Sequence, residues 1–304
     1  MRVEWKTVAL IAFAYLAWGV SGIWVWDRAP ILALVLMVLA AAFHSSLVHE
    51  CIHGHPTRKR WLNELLVVSN PSLVWPYRRF RTMHLRHHHD AHLTDPFEDP
   101  ESYYKAQWKL LQWPRWFQAV LKINNTLVGR IILGPVLGAW GLVTGDLRAI
   151  MRGDRAILAQ WALHILATTP IVLAVIYWFE IPLWLYVVTV VWPSLGIISI
   201  RTFAEHRWFE TVEGRTIIVE KTPLSLLFLN NNLHIVHHTH PAAPWYELPT
   251  LFEKERDTWV KFNQGYVYRN YTQLFREFSF RQKESVAHPA LHTGPAIQVS
   301  RSIN

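Results

Sequence analysis

Cysteine is nearly missing from this 304-residue chain, with Cys51 standing alone. A single thiol excludes a disulfide framework, a cysteine-held zinc ribbon and an iron–sulfur cluster, each of which needs several sulfurs. Charge is also scarce. Asp, Glu, Lys and Arg supply 17% of the residues against 51% that are hydrophobic, and the mean hydropathy is +0.12. That is too apolar for an ordinary soluble domain or for disorder, and it points into a membrane. No glycine-rich nucleotide fingerprint occurs, so the chain carries no flavin or nicotinamide site of its own. What it has in excess is histidine and tryptophan, 17 of each. With sulfur excluded, imidazole must carry whatever metal chemistry exists.

Bases exceed acids by 30 to 22. In a membrane protein such an excess collects in cytoplasmic loops, so no nucleic-acid partner is expected. Five stretches approach the roughly 20 apolar residues that a crossing helix needs: 7–26, 30–49, 126–145, 157–179 and 182–200. The first outruns the usual signal-peptide core of about 7–15 residues and has no small-x-small cleavage site after it, so it reads as a retained helix. Arg2 and Lys6 precede it, Arg28 alone separates the first two stretches, 11 bases lie in 50–125 and 12 follow Ile200. This asymmetry places both termini and the long 50–125 segment in the cytoplasm. Stretch 126–145 holds Arg130, Pro135 and five glycines, a poor continuous span and a better interfacial or re-entrant piece. The expected fold is therefore an all-α integral membrane protein with four transmembrane helices, one domain over 1–284, and a loosely ordered tail at 285–304.

Three histidine clusters fall on the cytoplasmic side of that topology. His49-Glu50-Cys51-Ile52-His53 ends the second stretch, and histidines four apart share a helix face as a two-point ligand. His84, His87 and His88 recur at i, i+3 and i+4, as one three-toothed helix face. His234, His237 and His238 repeat that spacing after Asn230-Asn231-Asn232. A second register, His84, His88 and His89, stays open on helix geometry, although the first matches the third cluster. Eight imidazoles are too many for one zinc and suit two metals with four or five nitrogens each, and imidazole accommodates iron. Glu50, Asp90, Asp95, Glu98, Asp99 and Glu205 could accept the second imidazole N–H and fix each tautomer. Asp90, beside the histidine row, is favoured with Glu50 and Glu205, whereas Glu98 and Glu101 are read as solvated loop.

The set of clusters, with Leu93-Thr94-Asp95-Pro96 after the second and His240-Pro241-x-x-Pro244-Trp245 after the third, resembles the integral-membrane fatty acid desaturase superfamily over roughly residues 30 to 252. Bacterial desaturase-like members are the most similar in these motifs. The resemblance implies a cytoplasmic helical cap over four membrane helices, in a bacterial inner membrane. The cap would hold two iron ions almost wholly by histidine and use dioxygen on an unactivated C–H bond. It also implies a ninth ligand between the second and third clusters, for which His206 is the candidate. Some relatives carry an asparagine four residues earlier, where this chain has Thr202. His164, mid-stretch, reads instead as a helix–helix hydrogen bonder.

The substrate implied is a lipid acyl chain. Electrons must come from a separate carrier such as a ferredoxin, rubredoxin or cytochrome, for which the bases at 58–60 and 78–81 offer a docking face, although they suit anionic lipid equally well. Hydroxylation or ketolation of an alkane, acyl chain or carotenoid would use nearly the same ligands. A zinc protease reading of His49–His53 leaves two clusters unexplained, and a haem carrier would need histidines facing one another inside the spans.

Overall fold

A computed structural model describes residues 3–89 and 91–291. Two long helices open it, α1 (Trp5–Val20, prolonged by a π-helical turn to Val25) and α2 (Pro30–Ile52), with Pro30 at a first-turn position that needs no N–H. Two shorter helices, α3 (Arg60–Val67) and α4 (Tyr77–His89), follow, then α5 (Gln107–Leu110) and α6 (Arg115–Asn124). The long α7 (Leu127–Met151) and α8 (Arg155–Leu173, prolonged to Trp178) come next, and α9 (Leu183–Tyr186) runs through a π-helical turn into α10 (Trp192–Glu205). The carboxy-terminal third is made of short pieces: β1 (Ile218–Val219), α11 (His234–Thr239), α12 (Leu248–Lys254), α13 (Arg256–Phe262), β2 (Val267–Tyr268) and α14 (Tyr271–Phe278). β1 and β2 pair in parallel, Ile218 opposite Val267.

Among the described residues, five helical stretches are long and apolar enough to cross a membrane: Trp5–Val25, Pro30–Ile52, Leu127–Met151, Arg155–Trp178 and Leu183–Glu205. They keep large apolar side chains such as Phe13, Leu16, Ile31, Leu166 and Val188 on the outside, as helices surrounded by hydrocarbon do. Trp18, Met37, Val175, Phe179 and Tyr186 fill the space between α1, α2 and the pair α8 and α9. The Trp18 indole donates to the Tyr186 hydroxyl at 2.9 Å, which in turn donates to the Pro71 carbonyl at 2.8 Å. Both of these buried polar groups are thus paired where water is absent. His164 contacts the Leu73 carbonyl at 2.8 Å, a loop rather than a second helix.

Stretch 126–145, expected to be broken, is instead one continuous helix of 25 residues with Pro135 inside it. Thr126 caps its start by accepting from Gly129 N at 3.0 Å. Pro135 has no N–H to offer the Ile131 carbonyl, and α10 closes over that point: a Cβ on Gly196 would stand 2.8 Å from the Ile131 oxygen. Trp192 donates its indole N–H to the next carbonyl, Ile132, at 2.8 Å. Packing against α10 offsets the proline, which local propensity alone penalises.

The segment from 285 also departs from expectation. Lys105 N donates to Val286 O at 2.9 Å, His288 N to Lys105 O at 2.8 Å and Gln107 N to Leu291 O at 3.0 Å, and Val286 and His288 are buried. Residues 285–291 are therefore laid against 105–107. Residues 292–304 lie outside the described residues.

Candidate metal centre

Four elements deliver the histidines. The last turn of α2 carries His49, with His53 at its cap, and Gly54 at φ +100° ends the helix there. Helix α4 presents His84, His87 and His88. His206 follows α10 in extended backbone, bridged to Thr216, and α11 supplies His234, His237 and His238.

These nine side chains gather into two groups. One contains His49, His53, His84, His88 and His237, the other His87, His206, His234 and His238. Within each group the candidate ligand atoms lie within 4.8 Å of one another. Each His-x-x-His-His cluster is thus split between the groups. On α4 the i, i+4 pair His84 and His88 goes one way and His87 the other. On α11 the i, i+4 pair His234 and His238 joins His87, while His237 crosses to the first group. Helix geometry explains this, because i and i+4 are about 40° apart around the axis and the i+3 residue sits about 60° to the other side. The single three-toothed face expected from the spacing is in fact two.

Partners of the outer ring nitrogens fix how three of these imidazoles are protonated. His84 Nδ1 lies 2.8 Å from Glu101 Oε1, and His87 Nδ1 lies 2.8 Å from Asp99 Oδ1. Asn231 Nδ2 donates to Glu205 Oε1 at 3.2 Å, so its amide oxygen is the atom facing His234 Nδ1 at 2.8 Å. With a proton on each of these Nδ1 atoms, the neutral rings turn bare Nε2 lone pairs inward. There His84 Nε2 meets His53 and His88 Nε2 at 3.0 and 3.1 Å, and His206 Nε2 meets His87 and His234 Nε2 at 3.0 Å each. His237 and His88 Nε2 are 3.2 Å apart. His49 Nε2 and His238 Nε2 are buried without a hydrogen-bond partner among the described residues. Bare lone pairs on His84, His87 and His234 thus face neighbouring imidazole nitrogens, and a shared cation would be bound by these nitrogens together.

Burial, and after it the neighbouring imidazoles, push the pKa of His53, His206, His234, His237 and His238 well below the ordinary value. Burial works the same way at His87, but the carboxylates of Glu101, Asp99 and Glu205 outweigh it and raise the pKa to about 9. A positive charge on that ring is favoured, whether it comes from a proton or a metal.

The expected carboxylates fare unevenly. Glu205 stands behind His234, 3.6 Å from its Nδ1 and 2.8 Å from Arg201 Nε. Glu50, expected to hold an imidazole, accepts from the Trp245 backbone N–H at 3.0 Å and clusters with Glu4 and His55. One residue past His49 on a helix is a turn of about 100°, which carries Glu50 off the histidine face. Asp90 and the side chain of His89 lie outside the described residues. Glu101, read as solvated, is instead the partner of His84, whereas Glu98 is exposed and pairs with Arg86 at 3.2 Å. The reversal comes from a tight turn: Asp95 Oδ1 accepts from Phe97 N and Glu98 N, and Asp99 accepts from Thr94 N and Glu101 N. This folds the acidic run back onto α4.

Sequence reasoning also missed Lys283, whose ammonium donates to the carbonyls of His206 and, at 2.7 Å, Phe203. Tyr103 donates to the same His206 carbonyl at 2.9 Å. Thr202 lines a cavity of about 30 Å³ with Asp99, Glu101 and His206, room for about one water. Among the remaining histidines, His44 contacts the Tyr15 hydroxyl at 2.9 Å, His55 Nδ1 sits 2.7 Å from Glu4, and His92 and His240 are exposed.

A family model described as fatty acid desaturase matches residues 25–270. Two curated relatives are both named "sn-1 oleoyl-lipid 12-desaturase". The one from Anabaena variabilis is 24% identical, with 69% of this chain and 64% of its own length covered. The one from Synechocystis sp. is 22% identical, with 84% and 74% covered. The chain thus spans about two thirds to three quarters of the length of these relatives.

Proposed function

Because the chain belongs to the fatty acid desaturase family, we propose that it is a membrane oxidoreductase that desaturates the acyl chain of a lipid. It would hold one iron with His49, His53, His84, His88 and His237 and a second with His87, His206, His234 and His238. The observation that carries this reading is the convergence of Nε2 atoms at 3.0–3.2 Å. Two nitrogens each about 2.1 Å from one ion stand about 3.0 Å apart at a right angle, and about 3.4 Å apart at the tetrahedral angle of structural zinc. The spacing therefore fits imidazoles that would share an ion, five around one position and four around the other. When bound, such a pair supplies the activation of dioxygen that an unactivated C–H bond requires.

The protein's part is to hold and to exclude. Glu101, Asp99 and Asn231 keep the Nδ1 protons outward and fix ring orientation. Lys283 and Tyr103 tie down the His206 backbone. Glu50, through Trp245 N, fastens the segment after the third cluster to the end of α2. Glu50 belongs to a different group from the nine histidines, which counts against its acting as the base of a zinc protease.

Four crossings with α7 kept on the histidine side are supported by what its two ends touch. Near its start, Arg130 lies over the Tyr103 ring at 4.9 Å, and Tyr103 holds His206. Near its end, Asp146 accepts from Arg79 of α4 at 2.8 Å. At the opposite pole, Phe179 at the end of α8 packs on Trp18 at 4.8 Å. Helices α1 and α8 then leave the histidine layer, and α2 and α10 return to it. With the basic loops on that side, the site and both termini are cytoplasmic. The names of the two relatives support an acyl chain carried on a lipid as substrate. Electrons would come from a separate small carrier.

Expression in a bacterial host with a compatible reductase, followed by mass spectrometry of total lipids, tests the reading. A lipid lighter by two hydrogens is expected. One heavier by an oxygen atom would replace desaturation with hydroxylation.

A further inference from the structure

Helix α4 carries four arginines ahead of and among its histidines, and three are neutralised: Arg78 by Glu64 at 2.6 Å, Arg79 by Asp146 at 2.8 Å and Arg86 by Glu98 at 3.2 Å. Arg81 on α4 and Arg60 at the start of α3 have no carboxylate within ion-pair reach among the described residues. Both line a cavity of about 200 Å³ with Glu64, Tyr77, Arg78, Thr82 and Gln160. Three guanidinium groups against one carboxylate leave the cavity with an excess of two positive charges. Guanidinium forks match phosphate oxygens in pairs, which an ammonium does not.

The position of the cavity narrows the anion. Gln160 lies in the second turn of α8, inside a stretch apolar enough to cross a membrane. Beside Arg60, α3 exposes Trp61 and Leu65 (62% and 63%) while burying Asn63 and Val67. An exposed tryptophan and leucine next to unpaired arginines is the composition of the boundary between headgroups and acyl chains. Tyr77, which also lines the cavity, donates its hydroxyl to the Cys51 carbonyl near the end of α2 at 3.3 Å. Arg81 stands three and seven residues before His84 and His88, about 4.5 and 10 Å along the helix.

We propose that this cavity holds the phosphate of a glycerophospholipid from the cytoplasmic leaflet, anchoring the substrate's headgroup beside the centre that acts on its acyl chain. The proposal rests on the acyl-lipid reading above, but the binding is measurable without turnover. A soluble electron carrier is the rival occupant. A recess walled partly by a membrane helix suits it less well than a protruding face would.

Native mass spectrometry of the purified full chain, released from detergent micelles containing phosphatidylglycerol and a neutral galactolipid in equal amounts, reads the site directly. Preferential retention of phosphatidylglycerol is expected, falling about tenfold or more in an Arg60→Gln/Arg81→Gln variant, since each base near a membrane surface contributes on the order of a factor of five. Glu64→Gln, which frees Arg78, should raise retention, so the proposal survives a double variant that fails to fold. Retention unchanged in both variants would overturn it. So would displacement of the lipid by millimolar inorganic phosphate, or a double variant that keeps its lipid but is no longer reduced by a ferredoxin, which would make the face a carrier dock. A protein that binds phosphatidylglycerol in this way but desaturates nothing would leave the cavity standing and remove the proposed activity instead.

Discussion

His87 and Asp99 face one another at 2.8 Å with both side chains almost wholly withdrawn from solvent. Their pairing sets which ring nitrogen of His87 points inward. Asp99→Asn keeps the shape and the contact with Thr94 N but removes the charge. Loss of a partner of this kind typically costs 10- to 100-fold in metal affinity. Iron content should fall from two toward one per chain, while Glu98→Gln, at an exposed pair, should leave it unchanged. Elemental analysis of the two purified proteins checks the contrast.

Glu50→Gln should keep both irons, because its oxygen meets the Trp245 N–H and not an imidazole. Its cost should appear as stability, on the order of 1 kcal/mol for a weakened buried hydrogen bond to a charged group. Loss of metal on this substitution would put Glu50 back at the centre.

The iron-free protein should lose stability as pH falls below about 6.5. His53, His206, His234, His237 and His238 have folded pKa values well below that of the unfolded chain. In that range only the unfolded state takes up their protons, which draws the equilibrium toward it. His87 acts in the opposite sense. Its folded value of about 9 gives stability that is full below the unfolded value and lost as pH rises through about 9. Five groups against one set the net sign on the acid side, and thermal melts of metal-stripped protein across pH 5 to 9 measure it.

Met151, exposed at the end of α7, reports which side that end occupies. In a Cys51→Ser background, which should stay active because that thiol only packs, Met151→Cys should react with an impermeant maleimide in inverted vesicles and not in intact cells. Labelling from outside would mean that α7 crosses.

The histidine clusters were legible because spacing along a helix converts directly into shared faces. Their split between two groups was not, since three residues at i, i+3 and i+4 look like one stripe until two helices meet from different sides. Glu101 was misjudged for a related reason. It reaches His84 only after the turn at Asp95 reverses the chain, and the turn residues among the 16 intervening positions do not say where the chain returns. Asn231 is visible in the sequence, three residues before His234 and in reach of its ring on one turn, but nothing in the asparagine triplet marks which member turns toward the ring. The continuity of α7 was hidden because Pro135 and the glycines count against a helix locally, while the α10 surface that compensates for them lies 60 residues away.

Anomalous diffraction at the iron edge from crystals of the metal-loaded protein measures the central claim most directly. Two iron peaks are predicted, one within about 2.3 Å of Nε2 of His84 and His88 and the other equally close to Nε2 of His87, His206 and His234. A single peak, a zinc edge in place of iron, or His87 and His88 bound to the same ion would contradict it.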